Sequence, residues 1–459
     1  MDRDFSDEKG TVNTPQSRRH NANKYSDRGF WLILPVLFYE YLAIAMTRSL
    51  IPTMVVASFG DNAYFFVGIT ETIKGILAFA SCPLWGRLSD RIGRRFCLLG
   101  TVIGSTLPFC ALAFTQNMYV YSFFLAISGF FAATFPLAFA YISDCVRDKK
   151  KRAPAYGLAL ATFGLSFCIG PLTGSYLAKE YGHRVVFISS FILVLVDVLY
   201  ILYALPETVK SMHNVNSTYT TKEKLNIAYE NLPTSLNISD TFRVFKSDPF
   251  MMSVAFIVFL YYTSVWAIVS TLMVYVTRHL NFSPLTLGWL LSGYGLSTMF
   301  SEGVVVRLVV PVIGETNSIR IGLASFAVQC IIVAFSTSSA SIFISVLFSM
   351  ISNLVYPSVS SLVSKLVEEG EQGEALGALN GIKALTEGFG PLIFGLLMGY
   401  FENTSLPGAP YLVAAAFSAV AMFYSIYLPT EPEFILSKKE SFKAINNQDN
   451  ESASSLLDK

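Results

Sequence analysis

The sequence predicts an all-α polytopic membrane protein with twelve transmembrane helices in two six-helix halves. Three observations carry that expectation. Of 459 residues, 53% are hydrophobic and 14% charged, against about 25% charged in soluble domains. The apolar residues gather in long runs separated by short polar stretches, and the second half of the chain echoes the first.

The runs fall at 30–57, 63–85, 96–114, 118–143, 155–178, 185–205, 250–277, 285–310, 321–337, 340–364, 375–401 and 410–428. Each approaches the ~20 residues needed to cross roughly 30 Å of hydrocarbon. About 9 charged residues fall within the roughly 280 positions of the runs, so charge is excluded from them. A membrane β-barrel would instead alternate apolar and polar residues.

In chain order, residues 1–29 form a polar tail with no apolar core before Gly29, so no cleaved signal peptide is expected. The first run carries Glu40 and Arg48, two helical turns apart and near one face. The second carries Glu71 and Lys74 and leads into a basic loop, and the fourth ends near Asp144. Gly170, Pro171 and Gly174 give the fifth a small face and a missing backbone donor, so it can bend and pack closely. The sixth holds Asp197. The largest break, 206–249, is rich in Ser, Thr, Asn, Lys and Glu and reads as a linker between a bundle at 30–205 and another at 250–428. In the second bundle Tyr261, Tyr262, Trp266, Asn353 and Asn380 sit where facing helices can line a cavity. Glu302 and Arg307 lie in the eighth run, the latter near its end where it can snorkel. Lys383 and Glu387 lie four apart in the eleventh run, followed by Gly390 and Pro391. Residues 429–459 form the closing tail.

The halves correspond at landmarks about 220 residues apart: Phe135-Pro136 with Tyr356-Pro357, Gly157 with Gly377, Gly170-Pro171 with Gly390-Pro391, and Leu205-Pro206 with Leu428-Pro429. That register argues for duplicated six-helix units.

Lys plus Arg total 33 and Asp plus Glu 32, a net charge of +1 that gives no electrostatic ground for a nucleic-acid partner. Placement is informative where the sum is not. About 26 basic residues fall on one side of the predicted membrane and about 3, Lys179, Arg184 and Arg278, on the other, so both termini are expected in the cytosol. The sequon Asn403-Thr404-Ser405 then lies outside.

The six cysteines, Cys82, Cys97, Cys110, Cys145, Cys168 and Cys330, include no CxxC spacing, so no disulfide, metal site or cofactor is expected. His20, His183, His213 and His279 are placed outside the helices, and no G-x-x-x-x-G-K-[ST] loop occurs. An enzyme is therefore not expected. Ionisable residues inside a membrane are costly, which makes Glu40, Arg48, Glu71, Lys74, Lys383 and Glu387 candidates for ion or proton coupling or for a substrate cavity. Local pairing within Glu40/Arg48, Glu71/Lys74 and Lys383/Glu387 is the alternative. Glu40 has no basic residue within one turn. Asn353 and Asn380 join the candidates because an amide in hydrocarbon needs a partner or a ligand.

Gly86-Arg87-Leu88-Ser89-Asp90-Arg91-Ile92-Gly93-Arg94-Arg95 resembles the major facilitator superfamily signature G-x-L-x-D-R-x-G-R-R at every specified position. Ile73-Lys74-Gly75-Ile76-Leu77 through Pro83-Leu84, Ala155-Tyr156-Gly157-Leu158 and Asn380-Gly381-Ile382-Lys383 resemble the tetracycline-efflux-like branch that includes the hippocampus-abundant-transcript proteins. The likeness covers about residues 30–430. It implies a transporter of a small organic solute working by alternating access, monomeric, embedded in a lipid bilayer, with protons as the candidate coupling ion. An uncoupled uniporter and a nontransporting receptor or scaffold stay open, as do the plasma and endolysosomal membranes. The resemblance also implies a conformational latch in which Asp90 meets the start of the eleventh helix near Glu374 to Leu376, and Arg94 or Arg91 pairs with Asp144. An acid suits such a helix start because the dipole is positive there. Gly170-Pro171 resembles the antiporter motif of drug/proton exchangers, with Ser166 and Ser175 where glycines are usual and Leu125 where those exchangers carry a buried Arg.

Overall fold

The computed structural model describes residues 15–146, 149–208, 249–366 and 372–426, with Leu428. Among them there is no β-strand. Residues 1–14, most of the expected linker (209–248) and the tail from 429 lie outside the described residues.

Eleven segments are long and apolar enough to cross a bilayer: α1 (Phe30–Arg48), α2 (Ile51–Cys82), α3 (Arg94–Phe114), α4 (Met118–Cys145), α5 (Ala155–Tyr181), α6 (His183–Tyr203), α7 (Phe250–His279), α8 (Pro284–Ile313), α9 (Glu315–Ala334), α10 (Ser339–Val363) and α11 (Leu379–Phe401). The twelfth, α12 (Ala409–Ser425), is shorter at 17 residues. At 1.5 Å per residue it reaches about 26 Å, a mismatch a bilayer absorbs by thinning locally. These twelve helices among the described residues give the predicted fold class.

Several boundaries differ from the sequence expectation: the first helix starts at Pro15, so His20 lies within it and not in a polar tail outside the helices, and α9 starts at Glu315 rather than 321. The run at 30–57 is divided, because α1 stops at Arg48 and Ile51 opens the next helix. Pro52 explains the stop: its ring would strike the carbonyl four residues back, and it has no N–H to continue the ladder. His183 opens α6 and His279 closes α7, so these two histidines stand at helix ends rather than outside the helices.

The duplication reaches the backbone. In α4 the regular helix ends at Ser128 and resumes at Thr134, and in α10 it ends at Ser352 and resumes at Val355. Pro136 and Pro357 occupy the third position of the resumed helix, inside the first turn where a missing N–H is tolerated. Gly93 and Gly314 precede α3 and α9 with φ of +121° and +80°, a backbone shape that favours glycine, at the same offset of about 220.

Helices in lipid gain little from apolar burial against one another, so close packing and hydroxyl bonds hold them. Ser190 Oγ donates to the Ala43 carbonyl at 2.8 Å, Ser418 Oγ to Leu323 at 2.9 Å, and Tyr261 OH to Ser352 at 3.1 Å. Ser166 donates to the Phe38 carbonyl at 3.1 Å, so this departure from the antiporter motif ties α5 to α1.

The halves meet along two seams, α2 against α11 and α5 against α8. A Cβ added at Gly68 would sit 2.8 Å from the Pro391 carbonyl oxygen, which shows how close the first seam runs. One buried core, including Met46, Tyr64, Leu112, Leu323 and Phe394, is shared by both halves. A second, around Leu37, Leu98, Leu137 and Tyr141, belongs to the first half alone, at the end where α1 begins. That end is called here the tail side, and the opposite end the distal side. The shared core thus joins the halves at the middle and distal levels, while the tail-side core lies within the first half.

Candidate functional site

Charged residues gather at three levels of the molecule. On the distal side, Arg278 at the end of α7 holds Glu402 (Nε to Oε1, 2.5 Å) and Asp61 (Nη2 to Oδ1, 2.9 Å) and donates to the Gly60 carbonyl. Gly60 and Asp61 belong to the first half, Arg278 and Glu402 to the second, so the guanidinium ties the halves together. Burial pushes the Glu402 carboxyl above the usual carboxylate range, and Arg278 draws it part of the way back.

At mid-membrane Lys74 Nζ lies 3.0 Å from Glu71 Oε2 and 4.0 Å from Glu387 Oε1. The first contact is local to α2, and the second crosses the seam to α11. Glu387 therefore turns toward Lys74 rather than toward its expected neighbour Lys383. Arg48 is within electrostatic reach of Glu71 and Glu387, and its buried Nε has no hydrogen-bond partner among the described residues. Lys383 instead sits 5.1 and 4.9 Å from the ring centroids of Tyr262 and Tyr356. Asn380 Oδ1 accepts a hydrogen bond from Tyr356 OH at 2.8 Å, and Asn353 Nδ2 donates to Thr298 Oγ1 at 3.3 Å.

Glu40 stands apart from this cluster. It is 1% exposed inside the first bundle, where Oε1 accepts from Ser105 (2.6 Å) and Thr134 (3.0 Å) and Oε2 has no hydrogen-bond partner among the described residues. Asp197, fully buried in α6, lies within electrostatic reach with both oxygens likewise unpartnered. The cavity expectation for Glu40, and its pairing with Arg48, do not match this geometry: two turns along one helix proved too far for the side chains to meet.

On the tail side Arg94 organises the signature. Its Nη2 lies 2.5 Å from Asp90, its Nε 3.0 Å from Asp144, and its Nη1 donates to Ser89. The Glu207 carboxylate accepts from the backbone N–H groups of Arg94 (2.8 Å) and Arg95 (3.1 Å), capping the start of α3 where the dipole favours an anion. Arg95 Nε donates to the Ile201 carbonyl at 2.9 Å. Gly86 lies on the helix that continues α2, and Gly93 provides the positive-φ turn. The network joins α2, α3, α4 and the exit of α6 within one half. Asp90 is 61% exposed and held by Arg94. The side chains of Arg91 and of Glu374 to Leu376 lie outside the described residues.

The helix-bending glycines pack within their own halves. A Cβ at Gly170 would meet Ala45 of α1 at 2.6 Å, Gly174 lies against Met46, and a Cβ at Gly390 would meet Trp266 of α7 at 2.5 Å. Pro171 and Pro391 lie on the seams, their carbonyl oxygens 2.8 Å from Cβ atoms built at Gly288 and Gly68. Opposite Gly390, α7 widens into a π-helical stretch at Ala267–Thr271, a feature frequent at functional sites.

Sequence reasoning missed Arg278, Glu402 and Glu207. Arg278 carried a signal, being one of only about three basic residues on its side. Glu207 directly follows the repeated Leu205-Pro206 landmark, which carried no signal of its role.

Two six-helix halves meeting across a charged mid-membrane seam define a membrane transporter. The Major Facilitator Superfamily model matches residues 33–266 and 254–448, and the chain belongs to that superfamily. The hippocampus abundant transcript 1 protein of Mus musculus is 28% identical over 424 residues, covering 86% of this chain and 83% of that protein. The class B tetracycline resistance protein of Escherichia coli is 24% identical over 417 residues, covering 89% and 98%. The fold is shared with the human organic anion transporter MFSD10 (TETRAN) at TM-score 0.62 and 18% identity, over 87% of this chain and 99% of that one. It is also shared with the nucleoside transporter NupG at TM-score 0.64 and 15% identity, over 88% and 100%.

Proposed function

We propose that the chain is a secondary active transporter that moves a small organic solute by rocking residues 30–205 against 250–428, with protons as the coupling ion. The observation that carries this reading is the Lys74–Glu387 contact, which puts charge from both halves on one mid-membrane seam. A rocking motion must remake that contact, so a solute or proton that changes the charge balance there changes the relative stability of the two states. Both termini are cytosolic in this reading, and 206–249 is the cytosolic linker. In this reading the state described is held closed outside by Arg278, while on the inner side Asp90 pairs with Arg94 of its own half. The related proteins named for tetracycline resistance, organic anions and nucleosides support a small organic solute as the class. A monomer in the plasma or endolysosomal membrane is sufficient for this mechanism.

Uncoupled uniport is the second reading, and the position of Glu40 inside the bundle, away from the seam, favours it. Purified protein in liposomes, offered sugars, organic anions, amino acids and lipophilic cations with and without an imposed pH gradient, tests both. Saturable uptake that responds to the gradient supports coupling, and saturable uptake that ignores it supports uniport. Failure of every solute to cross would favour a nontransporting receptor. Sidedness is checked by glycosidase digestion: removal of the Asn403 sequon should abolish the mobility shift, and a shift that persists would count against the topology.

A further inference from the structure

Lys383 differs from the cations whose charge is already matched by a carboxylate. Lys74, Arg94 and Arg278 each have an acid within 4.0 Å, whereas the Lys383 ammonium has no ion pair or hydrogen bond among the described residues. Glu302 and Glu387 lie within electrostatic reach but outside pairing distance. What surrounds the ammonium is aromatic: Tyr262 of α7 and Tyr356 of α10, their centroids 6.3 Å apart and their planes at 84°. Ring faces attract a cation without neutralising it.

Asn380 stands one turn before Lys383 on the same face of α11, and both side chains are exposed. Its Oδ1 is occupied by the hydroxyl of Tyr356, which leaves the Nδ2 hydrogens to donate. The position therefore offers an ammonium and an amide N–H₂ beside two aromatic rings, with the nearby phenol proton already committed. Donors in that arrangement select an acceptor that carries negative charge, and a carboxylate has two oxygens to divide between them. The rings select a flat apolar body next to that charge.

We propose that Lys383, Asn380, Tyr262 and Tyr356 form the solute-recognition site and that it takes aryl carboxylates, small organic anions with the carboxylate on or next to an aromatic ring. The assignment rests on the transporter reading above and narrows its solute class.

The test uses the full chain in lipid nanodiscs, with 2-naphthoate as probe and naphthalene-2-methanol and cyclohexanecarboxylate as its neutral and nonaromatic counterparts, followed by calorimetry. Wild type should bind 2-naphthoate saturably and more tightly than either counterpart. Lys383→Gln should weaken 2-naphthoate by about tenfold or more, the scale of a lost charge-assisted bond, and Lys383→Arg should recover part of it. Tyr356→Leu should erase the preference for 2-naphthoate over cyclohexanecarboxylate. Equal binding of the neutral alcohol, or unchanged affinity in a Lys383→Gln protein that remains monodisperse, overturns the proposal. A parallel liposome assay separates this inference from the one beneath it. Saturable uptake of a neutral solute, indifferent to Lys383→Gln, overturns the anion site and leaves transport standing. Binding of 2-naphthoate that depends on Lys383, without uptake of any solute, supports the site and counts against transport.

Discussion

Replacing Arg278 with Ala should open the distal side, and the structure indicates by how much. Only interactions that cross the halves count toward that equilibrium. The Glu402 arm does not, since both partners belong to the second half and remain together when the halves part. The Asp61 arm crosses but is weak, because Asp61 is 94% exposed and such pairs contribute about 0–1 kcal/mol. The hydrogen bond from the guanidinium to the Gly60 carbonyl crosses as well, and a charged donor contributes about 1.5–3 kcal/mol, the lower end applying at a partly exposed site. The sum is about 2 kcal/mol, or a shift of roughly 30-fold in the closed-to-open ratio. Spin labels at Gln116 and Thr337, exposed on distal loops of opposite halves, would report the change as a longer component in the distance distribution. Asp61→Asn alone should move the distribution far less. An Arg278→Ala distribution identical to wild type, or an Asp61→Asn shift of equal size, would refute the reasoning.

Three further outcomes are expected. Asp90→Asn should leave the melting temperature of the purified protein near wild type, because an exposed pair adds at most about 1 kcal/mol, while slowing uptake; a variant that transports at the wild-type rate would remove Asp90 from the latch. Acidification should favour distal closure: burial raises Glu402 in the closed state, and opening hydrates it while Arg278 stays paired, so closure takes up a proton as pH falls toward the raised value. Glu402→Gln should flatten that dependence in the same spin-label assay, and an unaltered pH response would contradict the assignment. Glu40→Gln should abolish gradient-driven uptake if Glu40 carries the coupling proton, and an unchanged pH dependence of transport would exclude it from that role.

Much of the fold was legible because lipid imposes a simple rule: a span must be apolar for about 20 residues, and charge marks the exceptions. The breaks inside spans were less legible. Pro136 and Pro357 were visible as a repeated landmark, but that each follows an interruption of its helix depends on which carbonyls can be satisfied nearby. Charged pairing was read from helical spacing, which works when partners share a helix. Glu71 and Lys74 meet at 3.0 Å, as their three-residue separation allows. Lys383 and Glu387 have comparable spacing, yet Glu387 finds Lys74 across the seam and Lys383 is left to two tyrosines. Spacing along one helix carries no information about what the neighbouring helix presents, and the seam decides the outcome.

That distinction reorders the ionisable residues. Isolation in sequence made Glu40 prominent, but its partners are hydroxyls from α3 and α4 of the same bundle, and Asp197 shares that interior. A proton on either acid would relieve an uncompensated charge without altering any contact between the halves. Lys74 and Glu387 are different, because their contact spans the moving boundary, with Glu71 holding Lys74 from the same helix. For a proton held by Glu40 to drive transport, it must change how the first bundle packs around α1, and through Gly170 and Gly174 how α5 meets α8. For a proton held by Glu387, the route is direct: its loss or gain alters the attraction to Lys74 across the seam. Coupling at Glu387 therefore requires fewer intervening steps than coupling at Glu40, and comparing Glu387→Gln with Glu40→Gln under one imposed pH gradient separates the two routes. Loss of gradient dependence in Glu40→Gln, with Glu387→Gln retaining it, would place coupling inside the bundle and refute the seam.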